Sequence, residues 1–210
     1  AVEYRVGEGV LVEYHDSLPS TNTRARELAR RKQFTGGNAP AVVVLAEEQT
    51  DARGRLDREW VSPAGGVWMS ALLSPDVPPA RAPLLTLAAA VATARAIDDV
   101  AGTADREISI GLKWPNDVLA AEEGGGERKL AGILTEMEGE TDAVSWVVVG
   151  IGLNANVDAT SLPEGTTSIR ELSGDVDRGR LVATILREFD ALRSSPDAIL
   201  AAWRNRALTL

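Results

Sequence analysis

The chain has 210 residues, 22 basic against 31 acidic side chains for a formal charge of −9, one histidine and no cysteine. That length makes one domain the default, and the missing thiols exclude a disulfide scaffold, a thiolate zinc site, an iron–sulfur cluster and a cysteine nucleophile. The lone His15 excludes a His-rich metal site, and the acidic balance excludes a sequence-independent binder of the DNA backbone, which needs a basic surface.

The first periodic segment is Val10 to His15. Val10, Val12 and Tyr14 share one face and Leu11, Glu13 and His15 the other, as in a half-buried strand; His15 reads as a surface or ion-paired residue. Leu18-Pro19 turns the chain. Ser20-Thr21-Asn22-Thr23 gathers N-cap residues ahead of a helix to about Lys32, with Ala25, Leu28 and Ala29 inward and Gly36-Gly37-Asn38 as its stop. Pro40 to Ala46 is a continuous apolar run, a buried strand. Gln49 to Gly66 is polar, rich in Gly and Arg, and without periodicity; an irregular stretch of that length in a compact domain is functional or mobile.

Val67 to Leu73 returns to strand, and Pro83 to Ala101 is an Ala/Leu helix with little polar face, buried against a sheet. Glu107 to Trp114 alternates, with Ile108, Ile110, Leu112 and Trp114 on one face. Glu122 to Glu127 reads as a turn. Lys129–Glu138 and Ser145–Leu153 form an antiparallel hairpin about Gly139 to Asp142, and Arg178–Leu192 and Ala198–Leu208 are helical. Strict βαβ alternation is missing, so the expected class is α+β with a largely antiparallel or mixed sheet. No uncharged stretch is long enough to span a bilayer, Ala82 to Ala94 included. No apolar signal region opens the chain, so a cytoplasmic protein is expected.

The 31 alanines and 19 arginines stand against three lysines: Lys32, Lys113 and Lys129. A GC-rich genome explains the first excess; a salt-adapted, halophilic cytoplasm explains the acid excess and the scarce lysine. Both remain open, the acid excess favouring the second.

Four places can carry chemistry. Arg53, Arg55 and Arg58 lie in the irregular segment with Gly54 between them and Trp60 at its end. Guanidinium groups suit phosphate and carboxylate oxygens, and an indole can stack on a purine; alternatively Asp51, Asp57 and Glu59 simply pair these arginines. Lys113-Trp114-Pro115-Asn116-Asp117 delivers a cation, an amide and a carboxylate at a strand end, or is an ordinary turn. Arg128-Lys129 opens an apolar strand with Gly132 and Ile133 beyond; Lys129 there is a phosphate ligand or an edge guard. Gly150-Ile151-Gly152-Leu153-Asn154-Ala155-Asn156 lets a ligand approach the backbone, without the helix that a dinucleotide fingerprint needs.

In this order the segments closely resemble one family, the biotin–protein ligases, which attach biotin to biotin carboxyl carrier domains. The resemblance covers roughly residues 10 to 193. It rests on Ser20-Thr21-Asn22 (STN), on Glu48-Gln49-Thr50 with Arg53-Gly54-Arg55 and Trp60-Val61-Ser62-Pro63 (EQT…GRGR…W.SP), and on Ala64-Gly65-Gly66. Lys113 to Asp117 (KWPND), Arg128 to Leu134 (RKLAGIL), Gly150 to Asn156 (GIGLN.N) and Thr167-Ser168 complete it. It departs at Ala52, where the family usually has Gly, which touches biotin affinity or the loop's closed shape. Lipoate–protein ligases share the fold and the adenylate logic, although W.SP and KWPND favour biotin. A non-catalytic biotin or biotinyl-AMP sensor is a further alternative.

The resemblance implies a class II aminoacyl-tRNA synthetase/biotin ligase-like fold, with a mixed, largely antiparallel sheet flanked by helices. It also implies two steps: the biotin carboxylate attacks the α-phosphorus of ATP, and a carrier lysine then attacks the biotinyl-5′-AMP. Lys129 stands between carboxylate and α-phosphate, and Arg53 and Arg55 hold phosphate and close the loop over biotin together with Gly54. Ser20, Thr21, Asn22 and Gln49 serve biotin's polar groups, with Gly132 and Ile133 lining the slot. Trp60 packs on or beside the adenine. Asn116, Asn154 and Lys113 contact the nucleotide, and Asp117 orients or deprotonates the incoming amine. Mg²⁺ accompanies ATP without a protein cage. The partners implied are a biotin carboxyl carrier protein and the two small molecules, with no nucleic acid or membrane and with a homodimer allowed. Residues 1–210 correspond to the catalytic domain, without the family's C-terminal SH3-like or N-terminal winged-helix domain. The loop is expected to be mobile without ligand, hinged at Gly65 and Gly66.

Overall fold

The computed structural model describes residues 2–6, 10–31, 40–101, 108–122 and 126–208. Lys32, the expected helix stop at Gly36-Gly37-Asn38, the strand start at Glu107 and the middle of the 122–127 turn lie outside them. The strands are β1 (Val2–Val6), β2 (Val10–Leu18), β3 (Val42–Gln49), β4 (Val67–Leu73), β5 (Ile108–Lys113), β6 (Asp117–Glu122), β7 (Glu127–Gly139) and β8 (Val144–Leu153). The helices are α1 (Thr21–Arg30), α2 (Pro83–Ala101), α3 (Ile169–Ser173), α4 (Arg178–Leu192) and α5 (Pro196–Arg204).

All eight strands form one sheet in the order β1-β2-β3-β4-β8-β7-β6-β5. Only β2 and β3 run parallel, because α1 is the crossover between them; every other neighbour is antiparallel. The expected α+β class with a mixed, largely antiparallel sheet is what the chain adopts. Among the described residues no helix is long and apolar enough to cross a membrane.

Strand alternation sorts side chains onto two cores. Val43, Met69, Ala71, Val147, Val149 and Ile151 meet α2, α4 and α5 on one face. Val42, Val44, Leu72 and Val148 meet Ala25 and Leu28 of α1 on the other. Truncating fully buried side chains of this kind to alanine costs roughly 2–5 kcal/mol. The α1 face is only partly apolar. Along β4 it runs Leu72, Ser70; along β8 it runs Val148, Gly150, Gly152. That loss of side-chain volume opens the face at the N-terminal end of α1.

Several expectations need correction. Strands β1 and β6 and the short helix α3 are not among the expected elements: β1 alternates over only five residues, β6 follows the turn signal of Pro115-Asn116, and α3 is a single turn. The polar face of β2 is covered rather than solvated: Glu13 is 2% exposed and takes Arg24 Nε at 2.9 Å and Nη2 at 3.0 Å, with His15 Nε2 at 3.3 Å. Burial pushes that carboxyl up, but hydrogen bonds and charge from Arg24 and His15 outweigh it and hold it below its ordinary value. Trp114 does not continue the buried face of β5. The strand stops at Lys113, and Trp114 is 63% exposed, edge-on to Trp203 with centroids 5.8 Å apart. Helix α5 ends at Arg204, short of Leu208. Beyond it the chain pairs with the outer edge of β5 through Leu112 N–H to Arg206 O and Leu208 N–H to Leu112 O.

Candidate active site

The open end of the α1 face is a cavity of about 500 Å³. Its walls come from the N-terminus of α1, the end of β3, the segment after it, the β5–β6 turn, β7, β8 and residues 162–166. Sequence positions far apart meet here because β7 and β8 pair Gly132 with Gly152 and Leu134 with Gly150, and β4 pairs Ser70 with Gly150.

Every site residue expected from the sequence lines this cavity except Lys113. The side chain of Lys113 is half exposed and lies 3.5 Å from Glu127 Oε2, outside the lining. It stands at the end of the edge strand β5, and its side chain reaches Glu127 at the start of β7 rather than the cavity.

Around the α1 N-terminus the polar groups hold one another. Ser20 Oγ caps the helix by accepting from Thr23 N–H at 3.4 Å. Thr21 donates from its N–H and its hydroxyl to Gln49 Oε1 at 2.8 and 3.1 Å, and Gln49 Nε2 donates to Ser62 Oγ at 2.9 Å. Ser70 Oγ lies 2.8 Å from Thr21 Oγ1 and 2.6 Å from Asn22 Oδ1. Asn22 Nδ2 in turn donates to Glu136 Oε2 at 2.8 Å. A Cβ on Gly150 would come within 2.1 Å of Asn22 Oδ1, so that glycine is what admits the amide. Ser70 and Glu136 belong to no motif above, and Ser62 appears there only as part of W.SP, without a role. The single hydroxyl inside the apolar run Val67 to Leu73 is the signal for Ser70, since a buried hydroxyl needs a partner.

The segment after β3 is not structureless. Gln49 bridges to Ser62 and Arg53 to Glu59 as in a narrow antiparallel arm, with a 3₁₀ turn at Arg55–Asp57. Leu56 and Asp57 both have positive φ, 58° and 55°. Ala52 is buried, accepts at its carbonyl from the Trp60 N–H, and is not among the positive-φ residues; its backbone does not demand glycine. Arg53 is exposed, 3.4 Å from Asp51, and Arg55 Nη1 reaches Asn116 Oδ1 at 3.4 Å. Gly54 donates its N–H to Arg58 O at 2.7 Å, and Arg58 also lines the cavity.

Lys129 is the lysine of the cavity wall. Its Nζ lies 2.6 Å from Asp117 Oδ1 and 5.0 Å from the centroid of the Trp60 ring. The indole lies across the bare backbone of β7 and β8: a Cβ on Gly152 would come within 2.5 Å of Trp60 Nε1, and one on Gly132 within 3.1 Å of the ring. Trp60 Nε1 is buried with no hydrogen-bond partner. Asn116 Nδ2 donates to Ile133 O at 3.0 Å, and Asn154 Nδ2 to Thr167 O at 2.9 Å, leaving Asn154 Oδ1 buried and unpartnered. Among the described residues no group of three or more His, Asp or Glu side chains gathers to hold a metal ion. Asp117 is engaged by Lys129.

The expected hinge at Gly65 and Gly66 is a packed junction. Gly65 has φ 100° and donates its N–H to Glu47 Oε1 at 3.0 Å, while Asn156 N–H donates to Gly65 O at 2.8 Å. Glu47 also accepts from Tyr14 OH at 2.9 Å and from Arg178 Nη1, at 3.1 Å to Oε1 and 3.0 Å to Oε2. Burial pushes the Glu47 carboxyl up, but Arg178, Tyr14 and the Gly65 N–H together hold it below its ordinary value.

One cation fixed by a carboxylate at a sheet end, with movable guanidinium groups across from it, can bring two anions together in a partly apolar slot. Comparison with known proteins bears on which anions. A family model described as the biotin/lipoate A/B protein ligase family matches residues 14–154. The chain is 41% identical over 184 residues to the "Bifunctional ligase/repressor BirA" of Bacillus subtilis, an alignment covering 84% of this chain and 52% of that protein. It is 35% identical over 196 residues to the "Biotin--[acetyl-CoA-carboxylase] ligase" of Mycobacterium tuberculosis, covering 90% of this chain and 68% of that protein. The chain thus spans about half the length of the first curated relatives it matches. Among solved structures, the biotin protein ligase of Aquifex aeolicus in complex with biotin and ATP superposes with a TM-score of 0.72 at 25% identity, over 97% of this chain and 80% of that one.

Proposed function

From the premise that this chain belongs to the biotin/lipoate A/B protein ligase family, we propose that it is an ATP-dependent biotin–protein ligase acting on a biotin carboxyl carrier domain. The observation that carries this reading is Lys129: a cation 2.6 Å from Asp117, at the junction of a glycine-floored slot and an arginine-bearing arm.

In the first step a carboxylate oxygen of biotin bonds to the α-phosphorus of ATP, and the bond to the β-phosphate oxygen breaks to release pyrophosphate. Both reactants are anionic, so Lys129 stands where they meet, and Arg53 and Arg55 swing in on the phosphates. Cations already in place at developing charge are worth about 3 kcal/mol or more each. Mg²⁺ would arrive on the phosphates of ATP and would supply charge neutralisation there, leaving Lys129, Arg53 and Arg55 to meet what remains. Ser20, Thr21, Asn22 and Gln49 face biotin's polar groups from a network that needs little reorganisation, with Gly132 and Ile133 as the slot's backbone wall. Trp60, Asn116 and Asn154 serve the nucleotide.

In the second step the amine of a carrier lysine bonds to the acyl carbon, AMP leaves with the bridging oxygen, and the amine loses a proton. Asp117, released when Lys129 turns to the adenylate, accepts or orients that proton.

The test is to incubate the protein with biotin, Mg·ATP and a carrier domain and weigh the carrier. A gain of one biotinyl group is expected. No gain, or ATP–pyrophosphate exchange driven by lipoate in preference to biotin, overturns the reading.

A further inference from the structure

The carboxylate of Glu47 holds four elements at one point. It takes the Tyr14 hydroxyl from β2, the Gly65 N–H from the end of the arm, and Arg178 from the first turn of α4, while itself belonging to β3. Arg178 also donates to Gly66 O at 3.1 Å. From the other side Asn156 donates its N–H to Gly65 O, and its side chain makes two hydrogen bonds with Val176, at 2.9 Å each way. A Cβ at Gly65 would lie 2.6 Å from Asn156 O, and one at Gly66 would lie 2.0 Å from the Trp68 ring. None of Glu47, Arg178, Asn156, Gly65 or Gly66 lines the cavity. The residues just before the junction do: Trp60 and Val61 belong to the wall, and Ser62 meets Gln49.

We propose that Glu47 is a positioning residue which, with Arg178 and Asn156, pins the C-terminal foot of the arm and so sets how tightly the closed arm retains the acyl-adenylate. The N-terminal foot is held by Thr50 N–H to Leu18 O and Asp51 N–H to Pro19 O, so with the C-terminal foot fastened as well the tip between them brings Trp60 back to one place on the glycine floor at each closure. Loosening the foot lets the tip close in many poses, and retention of a reactive intermediate falls. Adenylate formation needs only Lys129 and the arginines to meet the anions, so it is less affected. This inference rests on the ligase reading above.

The experiment compares the protein with Glu47→Gln, which keeps the shape but loses the charge that holds Arg178, with Arg178→Lys as a milder second variant. Glu188→Gln is the control: it breaks the Arg95 pair (3.1 Å) between α2 and α4, about three turns along α4 from Arg178. Two quantities are read: hydrogen exchange across residues 60–66, and the rate at which biotinyl-AMP escapes relative to the rate at which it forms. Glu47→Gln should exchange faster there and release adenylate about tenfold faster at a near-normal rate of formation, the scale of one charge-assisted hydrogen bond. Arg178→Lys should fall between it and the parent, and Glu188→Gln should match the parent. Unchanged exchange and release in folded Glu47→Gln, or in Arg178→Lys if Glu47→Gln does not fold, overturns the proposal. Failure of the parent to form adenylate from any acid overturns the ligase reading instead, and the exchange comparison still decides the clamp.

Discussion

Lys129 Nζ and Asp117 Oδ1 face each other at 2.6 Å across the antiparallel pair β6 and β7, both side chains a little over one quarter exposed. On the proposed ligase reading, the pair stores a cation where two anions meet. Lys129→Ala should lower adenylate formation by about 10²–10³ in a folded protein, comparable to deleting an oxyanion donor. Asp117→Asn should impair transfer to the carrier more than adenylation. Pyrophosphate exchange and single-turnover transfer separate the two; equal losses for Asp117→Asn would count against its role with the amine.

The indole of Trp60 rests on Gly152 because no Cβ is there. Gly152→Ala, whose methyl would enter within 2.5 Å of Trp60 Nε1, should eject the ring. A change in tryptophan emission and a fall in kcat/KM on the order of tenfold or more are expected, since small displacements of positioning groups are costly.

Leu56 and Asp57 sit at φ 58° and 55°. A non-glycine residue in that region costs roughly 1–2 kcal/mol, so Asp57→Gly should recover about 1 kcal/mol in denaturant titrations of the protein, less what glycine adds to the unfolded chain's freedom. A β-branched residue at position 57 should do the reverse.

Acid should weaken the fold through Glu13 and Glu47. Both carboxyls are held below their ordinary 4.5 in the folded chain. A group of this kind stabilises fully above its unfolded value, and its contribution is lost as pH falls through the lower, folded value. Melting temperatures should therefore drop below about pH 4.5, and Glu13→Gln, already weaker at neutral pH because Arg24 loses its partner, should show a flatter acid limb.

The net charge of −9 bears on salt. If the acidic, lysine-poor composition reflects salt adaptation, the melting temperature should climb from low to molar KCl as screening relieves self-repulsion. A flat or falling trend would leave GC bias as the explanation.

What was readable in the sequence was local. The hairpin of β7 and β8 showed its alternation and its acidic turn, α2 its unbroken apolar length, and α1 its cap at Ser20. The candidate site residues were legible as chemistry, and all but Lys113 reach one cavity. Strand β6 hid behind Pro115-Asn116, whose turn signal masked a strand starting one residue later. The role of Glu47 was not legible at all, since its partners Tyr14, Gly65 and Arg178 are brought together only by the sheet and the seating of α4. The glycine pair after the arm looked like freedom; their neighbours make it a vice.

The slot floor is main chain, and that ties chemistry to strand register. Val149 and Ile151 anchor β8 in the opposite core, which is what presents Gly150 and Gly152 to the slot. A slip of β8 by one residue would exchange the two sets, burying glycines where bulk is needed and driving branched side chains into the space occupied by Trp60 and Asn22. Such a chain would lose core and catalysis together. The apolar residues at 149 and 151 thus act as a proofreader for the glycines between and beside them, and a misregistered molecule would be removed for instability before it could persist as a folded but inactive one.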